Sequence, residues 1–320
     1  MQRYLLTRAI YSIPTIIGIT VLIFIAMRVL PGDPLAMVGG EGSGGVHRLT
    51  DEELQAARHN LGLDRPYVVQ YLDWMWDVVR LNMGTSFWRG EPIIDIIMRR
   101  GPITAQIALM AIMVSWLIGI PTGLFSAIKR NTVADYAVRG LTTVFMAIPS
   151  FWIGLVVVLI GVLWFTWRPP ITIVYFWDDP SRNLQMTIGP ALALGLGLAA
   201  VTARMTRSSV LEVLHDDFVR TARAKGLREH MVVWRHVFRN ALLPVITLSG
   251  LAFGGLLGGS VAVERAFGVP GLGQALVLAL NERDWTMIQN LVLLYGLIFV
   301  LINLLVDLSY AALDPRIRYQ

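Results

Sequence analysis

Six long apolar runs constrain this chain more than any other feature of its sequence. A helix needs about 20 predominantly apolar residues to cross the hydrocarbon core of a bilayer. Runs long enough for such a helix lie at residues 9–30, 103–128, 136–165, 186–203, 242–263 and 287–312. We therefore predict an all-α integral membrane protein with six transmembrane helices.

Composition supports this assignment and removes several kinds of site. Only 15% of the residues are charged and 55% are hydrophobic, whereas soluble domains carry about 25% charged residues. The chain has no cysteine, which excludes disulfides, cysteine-ligated zinc and iron–sulfur clusters. The five histidines form no HExxH or close HxxxH pair, so we expect no metal site.

Two of the apolar runs differ from a regular membrane-spanning helix in their sequence. Arg3 and Arg8 precede the first run as in a signal peptide, but the run is too long and no small-residue cleavage site follows, so we predict an uncleaved span. The fourth run contains Gly189, Pro190 and Gly195, and we expect it to be the least regular helix. It is also expected to continue past the membrane.

Basic residues orient the six spans. Lys and Arg number fifteen in the segments 1–8, 129–139, 204–239 and 316–318, but only four in the short connections on the other side. Since short cytoplasmic loops are enriched in these residues, we predict that both termini are cytoplasmic. The net charge of +5 is then an orientation signal, and no nucleic-acid partner is expected.

The topology divides the chain into three parts. These are the N-terminus and first helix (1–30), a large extracytoplasmic loop (31–102) and a five-helix core (103–320) with a cytoplasmic loop at 204–240. In the outer loop we predict a short helix over 51–61, with Thr50 as N-cap and Glu53 as its capping-box partner. Two alternatives remain for the loop's aromatic residues, which either lie at the membrane interface or pack the loop on itself. They are Tyr71, Trp74, Trp76, Phe87 and Trp88.

The cytoplasmic loop contains a short amphipathic pattern. Asp216 and Asp217 can cap a helix that begins near Phe218, and Gly226 is a natural stop. Ala222 and Ala224 keep the surface low, so that another protein can approach closely. The residues alone leave two interpretations equally open, namely a basic helix on anionic lipid and a docking surface for a protein.

The order of the residues in this loop resembles a known family. DDFVRTARAKG followed by RHVFRNALLPVI is similar to the cytoplasmic coupling loop of ABC importer permeases of the dipeptide/oligopeptide/nickel branch. RVLPGDP, LTDEELQAARHNLGLDRP, IPSFWIG, ERAFGVPGLGQAL and VDLSYAALDPRIRY extend the resemblance over nearly the whole chain. Arg220, Thr221 and Ala222 stand where the general family pattern has Glu-Ala-Ala, so the glutamate and the first alanine are absent.

The resemblance implies a type I ABC importer permease fold in a bacterial or archaeal cytoplasmic (inner) membrane. The chain would form half of a translocation pathway. Di- and oligopeptides are the expected substrates, and nickel chelates, glutathione and other small solutes remain alternatives. The implied partners are a second homologous permease subunit, two ATPase subunits and an extracytoplasmic substrate-binding protein. The residues implied to contact an ATPase are Asp217, Phe218, Arg220, Thr221, Ala222, Arg223, Ala224, Lys225, Gly226 and Leu227.

The sequence itself shows that the chain is not the motor of such an importer. A P-loop has the pattern GxxxxGK[ST], whose lysine reaches the nucleotide phosphates. The chain has two lysines, Lys129 and Lys225, and neither follows a glycine. We therefore expect no catalytic residue and no cofactor bound by this chain, with ATP and Mg on the partner subunits.

Small residues in the fifth span leave two interpretations open. Glycines recur every fourth residue there, a spacing that lets helices approach closely. The repeat predicts either static helix packing or a sliding, pore-lining face. The candidate pathway residues are Pro149 and Ser150 of the third span and Gly250, Gly254, Gly255, Gly258 and Gly259 of the fifth.

Two other function classes are less consistent with the sequence. A proton-coupled secondary transporter normally has several carboxylates or histidines in mid-membrane, and these are scarce here. A membrane-embedded enzyme would need a serine–lysine, paired-aspartate or HExxH arrangement, and the sequence shows none.

Overall fold

Helices account for most of the chain in a computed structural model. The structure describes residues 2–29, 64–87 and 89–313, together with the single residues 55 and 59. The predicted cap at Thr50 with Glu53, the aromatic residue Trp88 and the C-terminal residues after 313 lie outside the described residues. Within the described part, strand pairing is limited to one isolated antiparallel bridge between Thr85 and Pro92.

We number the helices in chain order. They are α1 (Gln2–Val29), α2 (Tyr67–Val79), α3 (Ile93–Ile128), α4 (Val133–Ala147), α5 (Ser150–Phe165), α6 (Pro180–Val213), α7 (Asp217–Ala224), α8 (Glu229–Met231), a π-helical segment π1 (Val232–Val237), α9 (Phe238–Phe267), α10 (Leu272–Glu282) and α11 (Trp285–Leu313).

Five helical segments of the described chain are long and apolar enough to cross a membrane, and the α4–α5 pair makes a sixth if it counts as one span. The five are Ile10–Arg28, Ile93–Ile128, Pro180–Val213, Glu229–Phe267 and Trp285–Val306. The predicted all-α membrane architecture is therefore confirmed.

The third predicted span is not the single run 136–165 that hydropathy indicated. It consists of α4 and α5, which are bent by 98° relative to each other. Pro149 has no N–H to continue the helical ladder, and proline also disfavours the α conformation of the residue before it. Ile148 accordingly ends α4 in an extended conformation, with ψ of 126°. Hydropathy shows how long an apolar run is, but it does not show whether the helix changes direction within that run.

Helix α6 is more regular than expected. It runs without a break from Pro180 to Val213, and its most apolar stretch is 67% buried, against 22–39% in the other four spans. Asp179 caps it, since its Oδ1 accepts from the N–H of Arg182 at 3.1 Å. Pro190 and the glycines do not interrupt the helix. α6 packs against α4, α5 and α9.

Glycine residues allow α3 to lie very close to α6. A Cβ atom on Gly119 of α3 would lie 2.6 Å from the carbonyl oxygen of Ala199, and one on Gly123 would collide with the carbonyl oxygen of Ala203. A Cβ atom on Gly195 of α6 would lie 2.7 Å from Val114. Small residues bring the backbones of α3 and α6 into direct contact, as expected for helices packed in lipid.

Contacts divide the chain into two compact units, which we describe separately. The larger comprises Arg100–Gln274 with the chain ends Met1–Ala9 and Ile298–Gln320. It contains most of α3, all of α4 to α9, and the second half of α11. The smaller comprises Ile10–Arg99 and Ala275–Leu297.

In the smaller unit, α2 packs on the last turns of α1. The hydroxyls of Tyr71 and Thr20 are hydrogen-bonded at 2.8 Å. Phe24 meets Tyr71 edge-on and stacks with Trp74, with ring centroids 5.4 and 6.4 Å apart. Tyr71 and Trp74 therefore pack the loop on the chain itself, whereas Trp76 is 58% exposed. Packing within the protein thus accounts for Tyr71 and Trp74, and an interfacial position for Trp76 stays a prediction.

A buried carboxylate joins two other segments of the smaller unit. Asp284 is fully buried, and its Oδ2 accepts from the hydroxyl of Ser86 at 2.5 Å and from the N–H of Phe87 at 2.9 Å. Its Oδ1 accepts from the N–H of Met287 at 3.1 Å and so caps the start of α11. Segment 83–87 is thereby attached to the beginning of the last helix.

The close packing of α3 on α6 generates a first prediction. Gly123→Ala should lower the thermal unfolding temperature of the protein in detergent, because the added methyl group meets the backbone of Ala203. Gly140→Ala is the matched control, since a Cβ atom there meets nothing within 4 Å and its unfolding temperature should not fall. Equal unfolding temperatures for the two variants would contradict the direct backbone contact.

Candidate functional site

The short helix α7 lies between two long elements, α6 and the continuous segment from α8 to α9. It has eight residues, Asp217–Ala224. Asp216 occupies the N-cap position in an extended conformation, but its side chain makes no capping hydrogen bond, so the predicted role of this carboxylate as a cap is wrong. Gly226 ends the helix as predicted. Its φ of +77° is left-handed, a conformation that favours glycine after a helix.

The inner face of α7 packs on its own chain. Val219 and Ala222 are both buried and stand three residues apart on one stripe of the helix. They join a cluster formed by the ends of α3 and α6, by π1 and by the start of α9, and partly buried Leu227 packs against it. Its other buried members are Leu124, Ala127, Val210, Val232, Val233, Val237 and Ala241.

This packing corrects the expectation for Ala222. Its small side chain was expected to keep an outer docking surface low, but it faces the protein's interior. An eight-residue amphipathic pattern identifies the apolar stripe without indicating what the stripe faces. Ala222 therefore supports the position of α7, and Ala224 is the small residue that lies on the exposed side.

The outer face of α7 is polar except for one ring. Phe218 is 41% exposed. The other exposed residues around it are Asp217, Arg220, Thr221, Arg223, Ala224, Lys225 and Gly226. An aromatic side chain surrounded by charged and small residues is a typical anchor for a partner protein.

A bidentate ion pair ties α7 to α8. The guanidinium of Arg223 donates to both carboxylate oxygens of Glu229, at 2.7 and 3.1 Å. The hydrogen bonds to the Glu229 carboxylate raise the pKa of Arg223 above its ordinary value. The sequence interpretation missed the pair because the turn at Gly226 separates the two residues. By contrast, Arg220 and Asp217 form only a long, exposed contact of 3.5 Å.

The segment after α8 contains the π-helical turn π1. Val232, Val233 and Val237 of this turn are buried in the cluster, while Trp234 is half exposed. The ring of Trp234 contacts Phe238 edge-on, with centroids 5.2 Å apart. π-Helical turns inside longer helices are frequent at functional sites, and this one directly adjoins α7.

A buried ion pair joins the same helix ends that hold α7. Asp135, in the first turn of α4, is fully buried. It accepts from Nε and Nη2 of Arg207 in α6, at 2.8 and 2.9 Å. The hydroxyl of Ser126 and the N–H of Asn131 also donate to it, at 2.6 and 3.0 Å. The ends of α3, α4 and α6 are thus locked together, and sequence analysis did not single out these residues.

A second buried carboxylate organises the turn after α9. Glu264 accepts from the hydroxyl of Thr104 at 2.8 Å and from the N–H of Gln274 at 3.1 Å. Thr104 in turn accepts from the N–H of Leu272 at 2.8 Å. Gly271 is required here because a Cβ atom would overlap the Glu264 carboxylate. The glycine-containing stretch between α9 and α10 is therefore a turn held by buried hydrogen bonds to Glu264 and Thr104.

The glycines of α9 fall on two faces. Gly250 and Gly254 pack directly against Val306 and Phe299 of α11, which corresponds to static packing. Gly255, Gly258 and Gly259 are exposed, and a Cβ atom on any of them would meet nothing within 4 Å. Static packing thus accounts for Gly250 and Gly254, and a pore-lining role for Gly255, Gly258 and Gly259 stays a prediction.

The remaining candidate pathway residues lie at the break between α4 and α5. Pro149 is exposed, and Ser150 is partly buried. The hydroxyl of Ser150 lies close to Gly197 of α6, 3.4 Å from where a Cβ atom would be. Among the described residues there is no cluster of three or more His, Asp or Glu side chains able to hold a metal ion.

Comparison with known proteins identifies the family. A family model described as "Binding-protein-dependent transport system inner membrane component" matches residues 119–319. A second model, described as the N-terminal part of such membrane components, matches residues 1–108. The chain belongs to this family. It is therefore a permease component of the ABC importer type, as the resemblance of its loop motifs indicated.

Full-length relatives agree with this assignment. The chain is 39% identical to a protein of Brucella abortus (strain 2308) whose name describes a peptide transport system permease. It is 38% identical to the glutathione transport system permease protein GsiC of Salmonella choleraesuis (strain SC-B67) and 35% identical to the oligopeptide transport system permease protein AppB of Bacillus subtilis (strain 168). Each match covers 100% of this chain and 100% of the relative.

A solved structure supports the fold. The crystal structure of an amino acid ABC transporter with histidines contains a chain that superposes with a TM-score of 0.51 at 16% sequence identity. The match covers 68% of this chain and 93% of the other. At this identity the comparison establishes the fold only, which is that of a type I importer permease.

The buried Asp135–Arg207 pair generates a second prediction. Asp135→Asn should lower the stability of the protein by about 2 kcal/mol, the scale of a charge-assisted hydrogen bond, because Arg207 loses its counter-charge. Asp217→Asn, in an exposed pair of the same residue types, is the control and should leave the unfolding temperature unchanged. Unfolding in detergent measures both, and a neutral Asp135→Asn would show that the pair does not hold the helix ends.

Proposed function

We propose that this chain is one of two permease subunits in an ATP-driven importer of small peptides, and that α7 is its contact with an ATPase subunit. One observation carries the proposal. The apolar stripe of α7 is already buried on its own chain, yet the helix presents a second, exposed face centred on Phe218. A helix that only lay on lipid would direct its apolar stripe outward.

The names of the relatives support small peptides as the substrate class. They include transporters of oligopeptides, of peptides and of glutathione, and glutathione is itself a peptide. The shared chemistry is a short, polar peptide backbone with charged ends. In a binding-protein-dependent importer this substrate is delivered by an extracytoplasmic binding protein.

The contact with the ATPase can be divided by role. Phe218 is the anchor, and Asp217, Arg220, Thr221, Arg223, Ala224, Lys225 and Gly226 surround it on the exposed side. Ala222 and Leu227 hold the helix from beneath. ATP and Mg belong to the ATPase subunits, because this sequence contains no P-loop.

Buried contacts give a route from α7 to the membrane. The helix is seated on the ends of α3 and α6, and the Asp135–Arg207 pair joins these ends to α4. A displacement of α7 by a closing ATPase pair would therefore move α3, α4 and α6 together as a rigid body. The break at Pro149 and Ser150 is the point where α5 can change its angle to α4.

The exposed glycine face of α9 is the proposed translocation surface. Gly255, Gly258 and Gly259 have no neighbour that a side chain would displace, so a second permease subunit or a substrate can approach the backbone. Gly250 and Gly254 are assigned to the packing of α11 and are removed from the proposed pathway.

The proposed topology places both termini and α7 in the cytoplasm. The excess of Lys and Arg in the segments on that side supports this orientation. It requires the α4–α5 pair to act as the sixth span. The loop 31–102 would then lie outside, within reach of the binding protein.

Reconstitution tests the function directly. The chain, a second permease of the same family, the ATPase subunits and the binding protein encoded with them should together give ATP-dependent uptake of labelled di- and oligopeptides into liposomes. Uptake should stop without ATP or without the binding protein. Peptide uptake by this chain alone, unaffected by ATP, would refute the proposal.

The role of Phe218 is tested by making the same Phe→Asp substitution at two positions. Phe218→Asp should abolish co-purification of the ATPase subunits, because it removes the apolar anchor. Phe176→Asp is the matched control, since Phe176 is similarly exposed and lies before the opposite end of α6, a helix of 34 residues that is about 50 Å long. It should retain the ATPase. Loss of the ATPase from both variants, or from neither, would overturn the assignment of α7.

A further inference from the structure

Helix α2 has three distinct faces. Gln70, Tyr71 and Trp74 contact α1. Asp73, Asp77 and Arg80 form a charged face about a quarter turn away. The third face consists of Val68, Leu72, Trp76 and Val79, at helical spacings of four, four and three residues. These four side chains are 58–70% exposed.

From this third face we infer that α2 is an interfacial helix, which lies along the membrane boundary with Val68, Leu72, Trp76 and Val79 inserted among lipid acyl chains. Four large apolar side chains in one stripe are rarely left in water. A helix with an apolar stripe and a separate charged stripe is suited to the boundary between headgroups and acyl chains. The inference is independent of the proposed peptide transport.

The position of α2 on α1 supports lipid as the occupant of this face. α1 is a membrane-spanning helix, and α2 packs on its last two turns, at Phe24 and Arg28. In the same turns α1 exposes Leu22 and Ile25. Exposed apolar side chains of α2 and of a membrane-spanning helix therefore occur in the same part of the smaller unit.

The depth of α2 also fits the interface. Arg28 lies at the end of the span, where its guanidinium is placed over the rings of Phe24 and Trp285. Phe24, which stacks on Trp74, is one helical turn deeper, about 6 Å. Interfacial helices bury their apolar face about 5–10 Å into the membrane boundary.

The charged residues of α2 are placed for the headgroup region. The guanidinium of Arg80 lies 4.3 Å from the ring of Trp76, so that a tryptophan and a cation stand side by side at the edge of the apolar face. Arg65 pairs with Asp73 at 3.0 Å. Tryptophan and basic side chains together are the usual anchors at this level of a membrane.

The absence of cysteine from the sequence allows a direct test. Single variants Leu72→Cys and Asp73→Cys of the full chain are labelled with a nitroxide and reconstituted in nanodiscs of phosphatidylethanolamine and phosphatidylglycerol. Electron paramagnetic resonance then measures collisions with oxygen, which concentrates in lipid, and with a water-soluble nickel chelate. These residues are adjacent in sequence but lie on different faces.

We expect the label at position 72 to collide with oxygen and to be protected from nickel, and the label at position 73 to show the reverse. The pair Trp76→Cys and Asp77→Cys repeats the comparison one turn later and should give the same contrast. Nickel access at positions 72 and 76 would overturn the inference, because the face would lie in water. Protection from both reagents would overturn it as well, because a protein segment would then cover the face.

Discussion

Direct backbone contact between α3 and α6 is the constraint on which the larger unit depends. Helices in lipid gain little from burying apolar side chains against one another, so their association relies on close contact and on hydrogen bonds. Gly119 and Gly123 provide that contact, and the hydroxyls of Ser115 and Thr202 add a buried hydrogen bond of 2.7 Å. The ends of these two helices then form the seat of α7. The position of the proposed ATPase contact thus depends on the packing of two membrane-spanning helices.

Buried carboxylates add hydrogen bonds that hold the helix ends in place. Asp135 and Glu264 in the larger unit, and Asp284 in the smaller, are each fully buried, and each accepts several hydrogen bonds. A buried charge without partners would be strongly unfavourable, so these groups are stable only while their partners stay in place. Each one joins a helix end to a segment distant in sequence. The ends of the helices, where backbone groups lack intrahelical partners, are therefore held more firmly than helix propensity would achieve.

The sequence allowed the membrane class, the family motifs and the short helix α7 to be predicted, because each depends on local order. Apolar length indicates a span, and Gly226 indicates a stop, whatever the rest of the chain does. What could not be predicted depends on direction or on distant partners. Hydropathy over 136–165 does not register the 98° bend, and the pattern around Ala222 does not show which side the protein occupies. The Asp135–Arg207 pair joins residues 72 positions apart, and neither residue has a local signal that names the other.

The structure separates the glycines of the α9 repeat, which the sequence alone could not distinguish. A repeat of four residues drifts about 40° per step around a helix of 3.6 residues per turn, so Gly258 has turned away from the face that holds Gly250 and Gly254. Gly254 and Gly255 are neighbours in sequence, yet the first packs on Phe299 and the second has open space beside it. One face fixes α9 to α11 while the other leaves its backbone accessible. The drift of the repeat thus gives α9 a packed face and an exposed glycine face within a single span.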